Sequence, residues 1–139
     1  MGMYTKLNAN LIIDNDRCID IIKYMLKETD KIPSLPEHDL FKTDRWEFML
    51  KSCSYYFTGT NNSKLIYDEQ LKRFILHCDC DLKNYDNEIE LFLEWISSFI
   101  ENKGYKNFLG YIRYEECTYP TLIFIEDGKI ICENLDKGE

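Results

Sequence analysis

The spacing of hydrophobic and polar positions changes several times along this chain, and each change marks an element. Leu7, Ala9, Leu11 and Ile13 alternate with Lys6, Asn8, Asn10 and Ile12, the period of a half-buried strand. Asp14-Asn15-Asp16 ends that alternation with residues suited to cap a helix. Cys18, Ile19, Ile21, Ile22, Met25 and Leu26 follow at helical spacing, as far as Glu28. Residues 29–43 lose periodicity, and Pro33 and Pro36 bias their neighbours away from helix, so a loop is expected. Thr43 or Asp44 is placed to cap a short helix through Trp46, Phe48, Met49 and Leu50.

Period two returns next. Residues 52–67 read as a hairpin turning at Gly59-Thr60-Asn61-Asn62-Ser63. Phe74, Leu76, Cys78, Cys80 and Leu82 form the inner face of another strand, with Arg73, Ile75, His77, Asp79 and Asp81 outside. Asn84 or Asp86 then opens a second helix, with Ile89, Phe92, Leu93, Ile96, Phe99 and Ile100 as its apolar stripe and Gly104 as its C-terminal residue. From Asn107 strict alternation sets Phe108, Gly110, Ile112 and Tyr114 against Leu109, Tyr111, Arg113 and Glu115. Strands at 121–126 and 129–133 are joined by Asp127-Gly128, a strong hairpin signal. This order predicts one α+β domain over 1–139, mainly an antiparallel sheet with two amphipathic helices packed on one face. The other face is expected to be partly open unless residues 29–51 cover it.

Composition narrows the class. At 139 residues, 45% hydrophobic and 14% aromatic, the chain has the length and apolar content for one packed core. No basic stripe suggests direct nucleic-acid binding, and no apolar run is long enough for a membrane helix. The net charge is −8. Residues 1–69 carry nine basic and eleven acidic groups, and residues 70–139 eight and fourteen, so the acidic excess lies mainly in the second half. Such a field steers basic partners. With no signal-peptide pattern at the N-terminus, the six cysteines read as reduced thiols of a cytoplasmic protein. The abundance of Ile, Lys, Asn, Tyr and Phe suggests an AT-rich bacterial or phage genome.

Candidate chemistry is sparse. Cys78 and Cys80 share a strand face, and with Cys53, Cys117 and Cys132 would give a thiolate metal site if the strands were neighbours; burial as small hydrophobes is the simpler reading. His77 beside Asp79 and Asp81 offers an acid–base or metal cluster, or else a solvated strand face. No phosphate-binding glycine loop, dinucleotide fingerprint, nucleophile elbow or zinc-protease helix is present, so no catalytic residue, metal or cofactor is assigned, and an enzyme is not favoured. Tyr111 and Arg113, with Glu115, His77, Asp79 and Asp81 on the outer face and Glu37 and Asp39 in the loop, are the candidate partner-binding residues.

Two stretches, Arg45-Trp46-Glu47-Phe48-Met49-Leu50 leading to Ser54-Tyr55-Tyr56-Phe57, and Gly110-Tyr111-Ile112-Arg113-Tyr114-Glu115-Glu116 before Pro120-Thr121-Leu122-Ile123, resemble small accessory proteins of bacteria, phages and mobile elements. In size and acidity the chain is similar to anti-CRISPR proteins and toxin-immunity proteins. The resemblance implies an inhibitor of a larger basic bacterial effector that processes nucleic acid; a toxin-neutralising immunity protein, or a small-molecule-binding or enzymatic domain with a pocket between sheet and helices, are the alternatives. An exposed hairpin edge at residues 121–133 makes a homo-oligomer a further expectation.

Overall fold

The computed structural model describes residues 4–52, 62–101 and 104–135. Six antiparallel strands form one sheet: β1 (Thr5–Ile13), β2 (Lys64–Asp68), β3 (Arg73–Leu82), β4 (Asn107–Tyr114), β5 (Thr121–Glu126) and β6 (Lys129–Asn134), in the order β2-β3-β1-β4-β5-β6. Two α-helices, α1 (Ile19–Met25) and α2 (Glu88–Ile96), cover one face. The fold is therefore α+β, with its helices on one side of an antiparallel sheet. No described helix is long and apolar enough to cross a membrane.

β1 is the central strand because its inner residues are apolar along their whole length. Leu7, Ala9 and Leu11 are fully buried, opposite Cys80, Cys78 and Leu76 of β3. A 3₁₀ turn at Asp16–Cys18, capped by the Asn15 side chain accepting the Arg17 N–H, leads into α1. Ile22 and Met25 of α1 and Ile89, Phe92 and Leu93 of α2 complete the same core. Burying each such side chain contributes roughly 1.5–3 kcal/mol, so this continuous cluster is the main source of stability.

The stretch around Trp46 forms a 3₁₀ helix (Trp46–Lys51), and a second 3₁₀ turn spans Asp39–Lys42. Both join the helical layer. Phe41 meets Trp46 at 4.9 Å and Trp95 of α2 at 5.3 Å, and Trp46 meets Tyr24 of α1 at 6.0 Å. Residues 39–51 therefore wedge between the two helices rather than covering the opposite sheet face.

Two local expectations change, and a third falls partly outside the described residues. The second arm of the hairpin expected at 52–67 is β2, and it pairs with β3; the first arm and its turn lie outside the described residues. The second helix ends sooner than its apolar stripe suggests. A 3₁₀ turn at Ser97–Phe99 returns the chain to the sheet, where the Asp14 N–H donates to the Phe99 carbonyl at 2.7 Å and Glu101 N–H to the Ile12 carbonyl at 2.9 Å. The alternation expected in β4 breaks at a bulge between Phe108 and Gly110. Phe108 then stands opposite Phe124 and is exposed, while Leu109, Gly110 and Ile112 are all buried. Gly110 has a steric reason: a Cβ there would overlap the Asn8 carbonyl oxygen and Ala9 of β1.

Candidate functional site

The face turned away from the helices is built by alternation. Lys6, Asn8 and Asn10 of β1 stand opposite Asp81, Asp79 and His77 of β3 on one side, and Lys6 and Asn8 stand opposite Arg113 and Tyr111 of β4 on the other. The structure thus brings His77, Asp79, Asp81, Tyr111 and Arg113 onto one face, with Glu115 just beyond the end of β4.

The acids among them are not displayed charge. Asp79 is 8% exposed and Asp81 is fully buried. Lys6 Nζ lies 2.9 Å from Asp79 Oδ1, with both side chains largely shielded from water. The Asp79 N–H donates to Ser63 Oγ at 2.8 Å, and the Asp81 N–H to the Ser52 carbonyl at 3.1 Å. A shielded pair of this kind holds its strands in register, and stripping one partner leaves an uncompensated charge. Glu115 accepts the Tyr4 N–H at 2.7 Å and donates its own N–H to the Tyr4 carbonyl at 3.0 Å, extending the β1–β4 ladder. His77 Nδ1 is 2.8 Å from Asn10 Oδ1, a polar cross-strand contact. Among the described residues no set of three or more His, Cys, Asp or Glu side chains is grouped to hold a metal.

The thiols divide by burial. Cys78 and Cys80 face the core, where burial raises the Cys78 thiol well above its ordinary range and the Cys80 thiol to about 12, with neighbouring acids adding to the effect. Burial likewise raises Cys18 to about 12. Such thiols stay protonated and are poor ligands and nucleophiles at neutral pH. Cys117 and Cys132 are exposed and lie on different elements, and Cys53 is outside the described residues.

Glu37 and Asp39 belong to the opposite, helical layer. Their loop docks on α2 through His38, whose Nε2 is 3.6 Å from Glu94 Oε1 and whose Nδ1 accepts the Leu40 N–H at 3.0 Å. Lys42 reaches Glu37 at 3.1 Å and Asp39 at 3.6 Å. Glu90 lies one helical turn before Glu94 on the outer side of α2, and it is close enough to Cys132 to help raise that thiol, after partial burial. Glu90 and Glu94 thus form an exposed carboxylate rim on α2, and Glu37 and Asp39 stand in solvent on the loop that His38 docks beside it, with side chains 89% exposed at Glu37 and 71% at Glu94. Below the rim, Leu93, Ile130 and Cys132 line a groove of about 330 Å³ between α2 and β6. Sequence reasoning found the loop acids but not their companions Glu90 and Glu94, because the docking of His38 on α2 is a contact distant in sequence.

A larger cleft of about 870 Å³ opens at the end of β1 and β3. Tyr4, Phe48 and Tyr85 supply rings, Arg45 and Lys83 cations, and Asp81 and Glu88 shielded carboxylates. Lys83 Nζ lies 5.8 Å from the Tyr4 ring and 6.0 Å from that of Tyr85. Asn84 borders it, and Asn84 and Asn87 have φ of 54° and 59°; Asn tolerates this left-handed region better than most residues. The N-cap of α2 is Asn87 rather than Asn84 or Asp86, and its side chain makes no cap hydrogen bond; Asn84 Oδ1 instead accepts the Ile89 N–H at 2.9 Å from three residues before the cap. The side chains could hold a small polar molecule.

Comparison with protein-family models, curated proteins and solved structures finds no match to this chain.

Proposed function

We propose that this chain is a binding protein that inhibits a larger basic partner, a bacterial effector that processes nucleic acid. The reading rests chiefly on one observation: Glu90 and Glu94 line a groove with an apolar floor beside a sheet edge, and the loop that carries Glu37 and Asp39 meets Glu94 through His38. Accessible carboxylates around an apolar floor suit a partner segment that carries both cations and aliphatic side chains. In a channel made for phosphates, such carboxylates would compete with nucleic acid for the same Lys and Arg groups. Asp79 and Asp81 of the open sheet face are buried, and Asp79 is paired with Lys6, so they add little to this field.

Affinity capture from host lysate at low and high salt, with the Glu90→Lys/Glu94→Lys variant in parallel, tests the proposal. A basic protein retained by the natural chain at low salt, released at high salt and lost by the variant is the expected result. Equal retention by the variant would remove the carboxylate rim from consideration. Mass spectrometry of the captured protein separates an effector from a toxin, the target of the immunity-protein alternative. The cleft at Tyr4, Arg45 and Lys83 favours the small-molecule alternative, for which a thermal shift with nucleotides would be the first sign.

A further inference from the structure

We propose that two copies of this chain pair antiparallel through β6, with Ile131 of each copy at the twofold axis. β6 is an edge strand, and among the described residues only β5 pairs with it. Its hydrogen-bonding pattern follows from the turn before it. Asp127 and Gly128 have φ of 55° and 77°, the signature of a two-residue type I′ turn, and Glu126 stands opposite Lys129. In such a hairpin the flanking pair is hydrogen-bonded, so Lys129, Ile131 and Glu133 bond inward to β5. The backbone groups of Ile130 and Cys132 therefore point outward from the sheet.

Only registers that set outward groups against outward groups can form a second ladder. In the register that places Ile131 opposite its own copy, Ile130 and Cys132 are directly opposed, and each such pair can exchange both N–H···O bonds. Lys129 then meets Glu133 of the other copy at both ends. Lys129, Ile131 and Glu133 alternate on the face away from the helices, where Ile131 stands opposite Phe124. The open face thus gains an apolar contact flanked by two opposite-charge pairs, the combination that favours antiparallel strands. Glu133 already pairs with Lys106 of its own chain, which holds it on that face. Moving the register to set Cys132 against its own copy would instead place Ile131 against Glu133 and lose both charge pairs.

Glu90 and Glu94 oppose the association, because they stand on the helical side of the same edge and repel their counterparts. The contact is also short, so the dimer is expected to be weak. The pairing does not rest on the proposed inhibitory role: it uses the backbone and open-face side chains of β6, whereas the carboxylate rim stays on the helical side.

Sedimentation equilibrium of the full chain under reducing conditions, over a concentration series reaching the millimolar range, should show a monomer–dimer equilibrium. Cys132→Pro removes an outward donor but none of the bonds to β5, and Ile131→Lys puts two ammonium groups at the axis; each should weaken the dimer by about tenfold or more. Circular dichroism identifies which variants remain folded. With Cys53, Cys117 and Cys132 replaced by serine, Ile131→Cys should form an interchain disulfide under mild oxidation, since Cα atoms of a non-hydrogen-bonded pair lie only about 4.5 Å apart. Monomer at every concentration, a dimer unchanged by either folded variant, or crosslinking faster through natural Cys132 than through position 131 would overturn the proposal.

Discussion

At the scale of single residues, the same residue type serves different ends according to its surroundings. Cys18, Cys78 and Cys80 are core hydrophobes, whereas Cys117 and Cys132 face water. The thiolate is the reactive species, so alkylation of the folded protein near neutral pH should label Cys117 and Cys132 and spare the three buried thiols. The buried thiols also couple stability to pH. In the unfolded chain they ionise near 9.0, but Cys18 and Cys80 in the fold hold their protons to about 12. Between those values the folded state binds more protons, so stability should fall as pH rises through this window and be fully present below it. A urea midpoint that stays level from about pH 8 to about pH 11 would show that these thiols are not buried as described. The carboxylates vary as widely: Asp79 is tied to Lys6 and Glu115 to the Tyr4 backbone, while Glu37 and Glu94 stand in solvent.

At the scale of elements, periodicity located β1, β3, α2 and the β5–β6 hairpin with little ambiguity. Their apolar residues recur at a single period over long runs, as at Phe74, Leu76, Cys78, Cys80 and Leu82. Strand β4 misled the same reading because a bulge inserts one residue and reassigns the faces on its N-terminal side. The cause is steric and comes from β1, a neighbour not visible from the local pattern. Gly110→Ala should therefore cost about 3 kcal/mol or more in chemical denaturation, since the added methyl meets backbone that cannot yield cheaply. A loss below about 1 kcal/mol would mean that β1 and β4 are less closely apposed. The short helix expected around Trp46 exists as a 3₁₀ segment, and its aromatic contacts with α1 and α2 set its place in the helical layer.

At the scale of the whole molecule, the sheet separates the candidate residues into two surfaces. His77, Asp79, Asp81, Tyr111 and Arg113 lie on the face away from the helices, and Glu37 and Asp39 lie on the helical side with Glu90 and Glu94. One flat partner surface cannot cover both sets at once. If the carboxylate rim is the contact, Tyr111→Ala should leave partner capture unchanged while Glu90→Lys/Glu94→Lys abolishes it. The reverse pattern would transfer the contact to the open face. The acidic excess of the second half is likewise redistributed in space: Asp79, Glu101 and Glu133 meet Lys6, Arg73 and Lys106, so only part of it remains as an outward field.

The amino-acid sequence by itself determined the α+β class, most strand and helix positions, the inner faces of β1 and β3, and the tight Asp127-Gly128 turn. These depend on residues a few positions apart, whose side chains must share a face or whose backbone must take a particular φ. Tertiary structure alone decided the order β2-β3-β1-β4-β5-β6, the docking of residues 39–51 beside α2, and which carboxylates keep their contact with water. Those outcomes depend on pairing and burial between segments far apart in the chain, where many arrangements satisfy the same local pattern and packing selects among them.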